Sequence, residues 1–441
     1  MKRIAVVGSG ISGLACAHAL SGHAQVTLFE SGSYFGGHTH TVDVTLAGPD
    51  GNVTHGVDTG FLVFNHRTYP RLVRLFEELG VETAASDMSF SVQVPQHGLE
   101  WSGSNLNGVF SQRRNLLSPL FLGMLREILR FNRLATALAQ TGSEAALTES
   151  IDSFLKRERF GPQFRDWYLL PMIGCIWSCP TDQMLEFPVA TLIRFCHNHG
   201  LIQVSNRPQW QTVRGGARHY VTKLLQAITD ARLNTPVRSL RRVAAAGGGT
   251  AAVVVKTDAG SERFDGVVLA CHSDQSLALL DDPTPAERRV LGAIRYHPNT
   301  AVLHTDTAVL PRRQRAWAAW NYARAAQAGQ EEAGVCLHYL INRLQPLPWA
   351  QAVVVSLNPD PARPINPDKV LGEWQYSHPV FDLAATAAQT QVPALQGQAG
   401  VWFCGAWTRY GFHEDGLMSG QDVAARVMSQ LLSPSAMREA A

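Results

Sequence analysis

One run of thirty residues, KRIAVVGSGISGLACAHALSGHAQVTLFES (Lys2–Ser31), constrains this chain more than any other. Ile4 to Val7 are apolar and mostly β-branched, as a strand buried in a parallel sheet must be. Gly8, Gly10 and Gly13 follow at G-x-G-x-x-G spacing. The first glycine permits a tight turn, the second admits a pyrophosphate to the backbone, and the third lets the next helix pack on the sheet. Leu14 to Leu20 continue as that helix, whose N-terminus offers free N–H groups to phosphate. Val26 to Phe29 read as a second strand, and Glu30 follows Gly13 by seventeen residues, in reach of ribose hydroxyls. No Lys or Arg stands close behind Glu30, which disfavours a 2′-phosphate. Ile11 and Ser12 within the turn, and Ser31 beside the acid, complete the expected dinucleotide contacts.

Later stretches decide which dinucleotide. SGSYFGGHTHT places Gly36 and Gly37 just past the second strand, and VDTGFLVFN follows with Asp58, Thr59 and Gly60. Far downstream, GVWFCGAWTRYGFHEDGLMSGQDVAARV reads as a strand ending at Cys404, a turn at Gly405, and a helix starting near Gly416. That is a second phosphate-side turn, which a single nicotinamide module does not need. On these residues the chain resembles the flavin-containing amine oxidase and phytoene desaturase superfamily. The resemblance implies FAD. The N-terminal turn would hold its ADP half, Gly36, Gly37, His38 and Thr39 would lie by the pyrophosphate and flavin, and backbone near Val237 would touch adenine. Gly405, Ala406, Asp415, Gly416 and Leu417 would close over the ribityl chain and ring. GHTHTVDV, DTGFLVFNHRTYPRLVRLFEELGV, LEWSGSNLNGVF, WYLLPMIGCIWSCP and WQTVRGGARHYV resemble a bacterial group described only as NAD/FAD-binding proteins. Genes of that group often accompany cyclopropane-fatty-acid-synthase-type methyltransferases. The implied substrate is a fatty acyl chain, methyl-branched in one version.

The expected architecture is α/β: a Rossmann-like FAD-binding domain of amine oxidase type with an interleaved α+β substrate domain. The FAD-binding parts span about 1–86, 206–290 and 396–441; the substrate parts span about 87–205 and 291–395. At 441 residues, with 45% hydrophobic and 17% charged side chains, a globular enzyme is expected. A net charge of +2 leaves no nucleic-acid footprint. A strand directly after Lys2 and Arg3 argues against a signal peptide, and a cytoplasmic location is expected. Seven cysteines, mostly in apolar settings, read as reduced thiols. Cys175 and Cys179 are spaced at the wide end for zinc and separated by apolar residues, so no metal centre is expected. In PLFLGMLREILRFNRL, Arg126, Arg130 and Arg133 fall within an arc of about 60° on an otherwise apolar helix. The helix suits either a buried position with one solvated edge or a berth on an anionic membrane surface.

Flavin chemistry leaves the protein to orient a C–H bond and manage protons. If a C–C bond is desaturated, a base must take the second proton. His413, in the segment expected to cover the flavin, is the first candidate; Glu414 is the second. Phe412 aligns with the aromatic residue that walls the amine oxidase site. Trp320, Asn321 and Tyr322 read as a substrate-lining strand. Where amine oxidases carry a strand lysine, RYHPNTAVLH has none, which argues against an amine. An FAD-dependent desaturase or isomerase of an acyl chain is therefore expected, ahead of an amine or polyamine oxidase and of a non-catalytic lipid binder like the Rab escort proteins.

Overall fold

A computed structural model describes residues 1–141, 149–177, 184–203, 207–243, 252–324 and 336–432. Cys179 and residues 433–441 lie outside this set. The apolar run Arg3–Val7 forms the central strand of a five-stranded parallel sheet. It pairs with Gln25–Phe29 on one side and Gly266–Leu269 on the other; Asp230–Arg232 and Val401–Phe403 form the edges. Four of the five residues in Arg3–Val7 are buried, because helices and a small second sheet cover both faces. That second sheet, Val237–Val243, Ala252–Thr257 and Gly260–Phe264, is antiparallel and sets Phe264 edge-on to Phe29 at 6.0 Å. Val237 is buried within it, in one apolar cluster with Phe29.

A seven-stranded sheet forms the other half of the molecule. Its spatial order is Val370–Pro379, Tyr296–His304, Val354–Leu357, Cys336–Leu340, Trp320–Ala323, Phe90–Val94 and Leu99–Ser102. The FSVQVPQHGLEWSG stretch is the expected hairpin, paired Ser91 to Ser102 and Val94 to Leu99. The sheet is antiparallel except where Trp320–Ala323 runs parallel to Phe90–Val94. A long stretch of chain separates those two strands, which gives it room to cross over.

The last helix, His413–Val427, lies across the first, Ile11–Leu20. Small residues set the approach. A Cβ at Gly420 would come within 2.1 Å of the Ser12 carbonyl, and one at Gly416 within 2.7 Å of the Ile11 side chain. Helix Pro119–Thr141 buries Phe121, Met124, Phe131 and Ala135 on its inner face. The expected stripe of three arginines is only partly present. Arg130 folds back, donating to the Glu158 carbonyl at 2.8 Å and lying 3.9 Å over Phe160, while Arg126 and Arg133 stay exposed.

Inside the seven-stranded sheet, His304, Ser356 and His338 form a buried polar file. The Asp306 N–H donates to His304 Nδ1 at 3.0 Å, so His304 carries its proton on Nε2. That proton is donated to Ser356 Oγ at 2.7 Å, and the serine hydroxyl then donates to His338 Nδ1 at 2.7 Å. Each member has one role, and both rings are neutral. Burial holds His304 at about 4 and His338 at about 3. Both values lie below the unfolded value near 6.5, so the unfolded chain binds more protons in acid. Stability should therefore fall as pH drops from about 6.5 toward 4, by about 1.4 kcal/mol per pH unit per histidine. Thermal melts across that range test it. Ser356→Ala should cost about 2 kcal/mol at neutral pH, since it strips partners from two buried ring nitrogens.

Candidate functional site

The parallel sheet and the seven-stranded sheet meet around a cavity of 440 Å³. At one end lies the glycine turn. Gly8 has φ +102°, and a Cβ at Gly13 would fall 1.8 Å from the Gly8 carbonyl, so strand and helix touch here. A Cβ at Gly10 would meet nothing within 4 Å: the space above it is open. The helix that follows has no side-chain cap at its N-terminus. Glu30 is held by its neighbours. One carboxylate oxygen accepts from the Ser9 N–H at 2.9 Å and the Ser9 hydroxyl at 2.5 Å; the other accepts from the Gly32 N–H at 2.8 Å. The Gly36 N–H in turn donates to Ser9 Oγ at 3.1 Å, which ties the second glycine pair to the first turn. Gly37, at φ +58°, sits against Gly10.

Beyond the glycines the wall is built of rings. His38 stacks on Tyr376 at 4.9 Å and lies 5.3 Å from His378, while His272 stacks on Tyr296 at 4.3 Å. Burial lowers His38 and His272 to about 4 and His378 to about 3, with each histidine opposing charge on the next. His38 Nε2 is buried with no hydrogen-bond partner among the described residues. An open space over Gly10, an uncapped helix N-terminus and an orphaned imidazole nitrogen along one cleft fit a long phosphate-bearing cofactor.

His413 lines the same cavity. It stacks on Phe61 at 3.8 Å, and its Nε2 lies 2.6 Å from the Tyr220 hydroxyl, which is 2.5 Å from Thr39 Oγ1. Burial, then the charge of His38, lowers it to about 3, so the ring is neutral at any working pH. Phe412 also lines the cavity, stacked on Phe195 at 4.6 Å and beside His199 and Trp177. Tyr69, Met88, Ile176, Trp210, Trp320 and Tyr339 continue this apolar end.

Of the residues expected here, Gly8, Gly10, Ile11, Ser12, Glu30, Ser31, Gly36, Gly37, His38, Thr59, Gly60, Gly405, Ala406, Trp320, Phe412 and His413 line the cavity. Others stand behind it. Glu414 is turned away: its carboxylate caps helix Pro70–Leu79, accepting from the Arg71 N–H at 2.8 Å and the Leu72 N–H at 3.0 Å. Asn321 is spent inside its sheet, accepting from Ser91 Oγ and donating to the Ala318 and His338 carbonyls. Tyr322 is a core residue. Strand alternation separates Trp320, which lines the cavity, from Asn321; Tyr322 shares the face of Trp320 but packs into the core beyond the cavity. Asp58 accepts from the Ala217 N–H, Thr41 Oγ1 and Gln345 Nε2, which fastens hairpin Thr41–Asp58 to helix Arg218–Leu225. Burial raises it to about 7. Asp415 accepts from the Phe412 N–H at 3.0 Å and stabilises the start of its own helix; burial raises it to about 6. Gly13 serves the contact of its helix with the Gly8 turn, Gly416 serves the helix crossing, Leu417 is a core residue, and Val237 lies in the second apolar cluster. Cys175 lines the cavity while Cys196 is buried, and burial pushes the Cys196 thiol up to about 12.

Sequence reasoning missed Ser9, Tyr220, His272, Tyr376 and His378. Tyr376 and His378 did leave a signal, because WQYSH alternates rings at period two along Val370–Pro379.

Comparison with known proteins accords with this geometry. Residues 11–334 match the family model for flavin-containing amine oxidoreductases. A CLA-producing fatty acid isomerase from P. acnes superposes with a TM-score of 0.65 at 16% identity, over 96% of this chain and 98% of that one. Cyclohexylamine oxidase from Brevibacterium oxydans gives 0.63 at 16% identity, over 98% and 99%. Reduced UDP-galactopyranose mutase gives 0.63 at 13% identity, over 100% and 99%. At these identities the likeness is one of fold. No curated protein sequence matches the chain. The cofactor is FAD, and the protein is an FAD-dependent oxidoreductase. Gly10→Val should yield a folded but colourless protein, because the new side chain fills the open space above the turn; flavin absorbance of the purified variant measures this. The chain belongs to the flavin-containing amine oxidoreductase family.

Proposed function

We propose that this enzyme acts on a lipid acyl chain, either removing two hydrogens to insert a carbon–carbon double bond or shifting an existing one with no net oxidation. The preferred substrate on this reading is a methyl-branched chain of the kind a cyclopropane-fatty-acid-synthase-type methyltransferase supplies. One observation carries the reading. Among the described residues Glu30, at the nucleotide end, is the sole acid lining the cavity, and no lysine lines it. The walls of the apolar end instead contain two indole N–H groups, of Trp177 and Trp320, buried with no partner among the described residues. An ammonium has only donors and needs acceptors or carboxylates. Two unpaired donors in an aromatic wall suit an acyl chain bearing an oxygen. The fatty acid isomerase of the same fold lends support, and cyclohexylamine oxidase of the same fold makes amines the natural control.

FAD, when bound, supplies the acceptor for hydride. The chain's part is to hold the alkyl segment among Phe412, Phe195 and Trp177 and to keep water out. His413 manages the second proton. Its ring is neutral, and the Tyr220 and Thr39 hydroxyls continue from Nε2. A proton taken at Nδ1 is matched by donation from Nε2 toward Tyr220. With its basicity lowered by burial, the ring accepts a proton only as the C–H electrons depart.

Anaerobic mixing with lipid extracts, free fatty acids and a panel of amines decides between substrates. Flavin bleaching by acyl lipids, with products lacking two hydrogens or isomeric in mass, is expected; bleaching by amines alone would overturn the reading. His413→Gln should keep FAD and slow substrate-driven bleaching by about 100-fold or more. In the wild type that rate should show no midpoint near 6.5 from this ring, because His413 stays neutral down to about 3. Glu414→Gln should lower the melting temperature and leave the bleaching rate unchanged, since its carboxylate caps a helix.

A further inference from the structure

From the geometry of one face we infer that the protein docks on an anionic lipid bilayer through the turn Arg113–Leu117 and the outer side of helix Pro119–Thr141. Among the described residues eleven large apolar side chains stand exposed, and five of them fall here: Leu116 at 48%, Leu117 at 87%, Leu120 at 57%, Leu122 at 43% and Leu129 at 53%. Scattered exposed leucines need no explanation, but here Leu116, Leu117 and Leu120 crowd the turn and the start of the helix, and Leu122 and Leu129 stand along its outer side. Leu122, Arg126, Leu129 and Arg133 follow at steps of four, three and four, so they share one side of the helix. That side is opposite to the one buried by Phe121, Met124 and Phe131.

Along this stretch of chain arginines outnumber acids. Among the described residues Arg113 and Arg114 bond to carbonyl oxygens and to Asn107, and Arg126 and Arg133 are exposed. Glu127 is the sole acid from Ser104 to Ala137; it is half-buried, and its carboxylate accepts from the Gly161 N–H. A protein partner matching four arginines would need its own acids set among apolar residues. A bilayer of anionic lipids offers both at once: leucines enter at headgroup depth while arginines meet phosphate. No helix among the described residues is long and apolar enough to cross a membrane, so the contact is peripheral. The same helix packs on Val189–Asn198, whose Phe195 lines the cavity. The inference stands on the surface alone and does not depend on which substrate is oxidised.

Flotation of the FAD-loaded protein tests it, with vesicles of phosphatidylcholine alone or mixed equally with phosphatidylglycerol. The wild type should float with mixed vesicles at low salt, and less at high salt. Arg126→Gln with Arg133→Gln should weaken that binding about 30-fold, at about fivefold per arginine. Leu117→Asp with Leu120→Asp should weaken it about 100-fold or more, by removing two inserted side chains. Flavin absorbance of both variants checks folding, and all four positions are exposed. A wild type that fails to float at low salt overturns the inference. So does a leucine variant that floats like the wild type. A wild-type dimer that the leucine variant converts to monomer, without vesicle binding, assigns the face to a second copy and overturns it as well.

Discussion

The crossing of the first and last helices is the contact on which the site depends. Ile11 and Ser12 on one helix meet Gly416 and Gly420 on the other, so closely that a single added carbon at Gly420 would collide with backbone. This approach sets the N-terminus of the last helix beside the glycine turn, and with it Phe412 and His413. A wider crossing would move the ring pair away from the cavity and leave the turn a bare nucleotide cradle. Asp415 and Glu414 reinforce the crossing, one by stabilising its own helix start and one by capping a neighbour. Two carboxylates directly after His413 thus serve architecture.

The nucleotide half of this molecule was legible in its sequence. Glycines at fixed spacing admit few backbone explanations, and an apolar run before them leaves little choice but a buried strand. Local rules reach that far. They do not reach Tyr220, which joins the site through a hydroxyl 193 residues away from His413 in sequence. Nor could they sort Trp320 from Asn321, because facing is set by sheet register and the partner strand comes from Phe90–Val94. Glu414 shows the same limit. A glutamate beside a histidine in a flavin-covering segment looks reactive, and only the tertiary position of helix Pro70–Leu79 explains its capture.

Histidine is used twice here in opposite settings. In the seven-stranded sheet, His304 and His338 are completed by Ser356 and need nothing further. Around the cavity, His38, His272 and His378 are packed against rings and against each other, and His38 keeps an unpaired nitrogen. A closed polar file rigidifies; an open one waits for a ligand. The difference can be read from partners alone.

The helix crossing also orders events in time. Strand Val401–Phe403 and helix His413–Val427 leave the ribosome about four hundred residues after strand Arg3–Val7 and helix Ile11–Leu20. At synthesis rates of about 5–20 residues per second, the nascent chain carries an unfinished cradle for tens of seconds. Through that interval the apolar side of helix Ile11–Leu20 lacks its cover, and ordered capture of a dinucleotide has only half its walls. Closure of the cradle around a dinucleotide therefore waits for the last helix of the described chain.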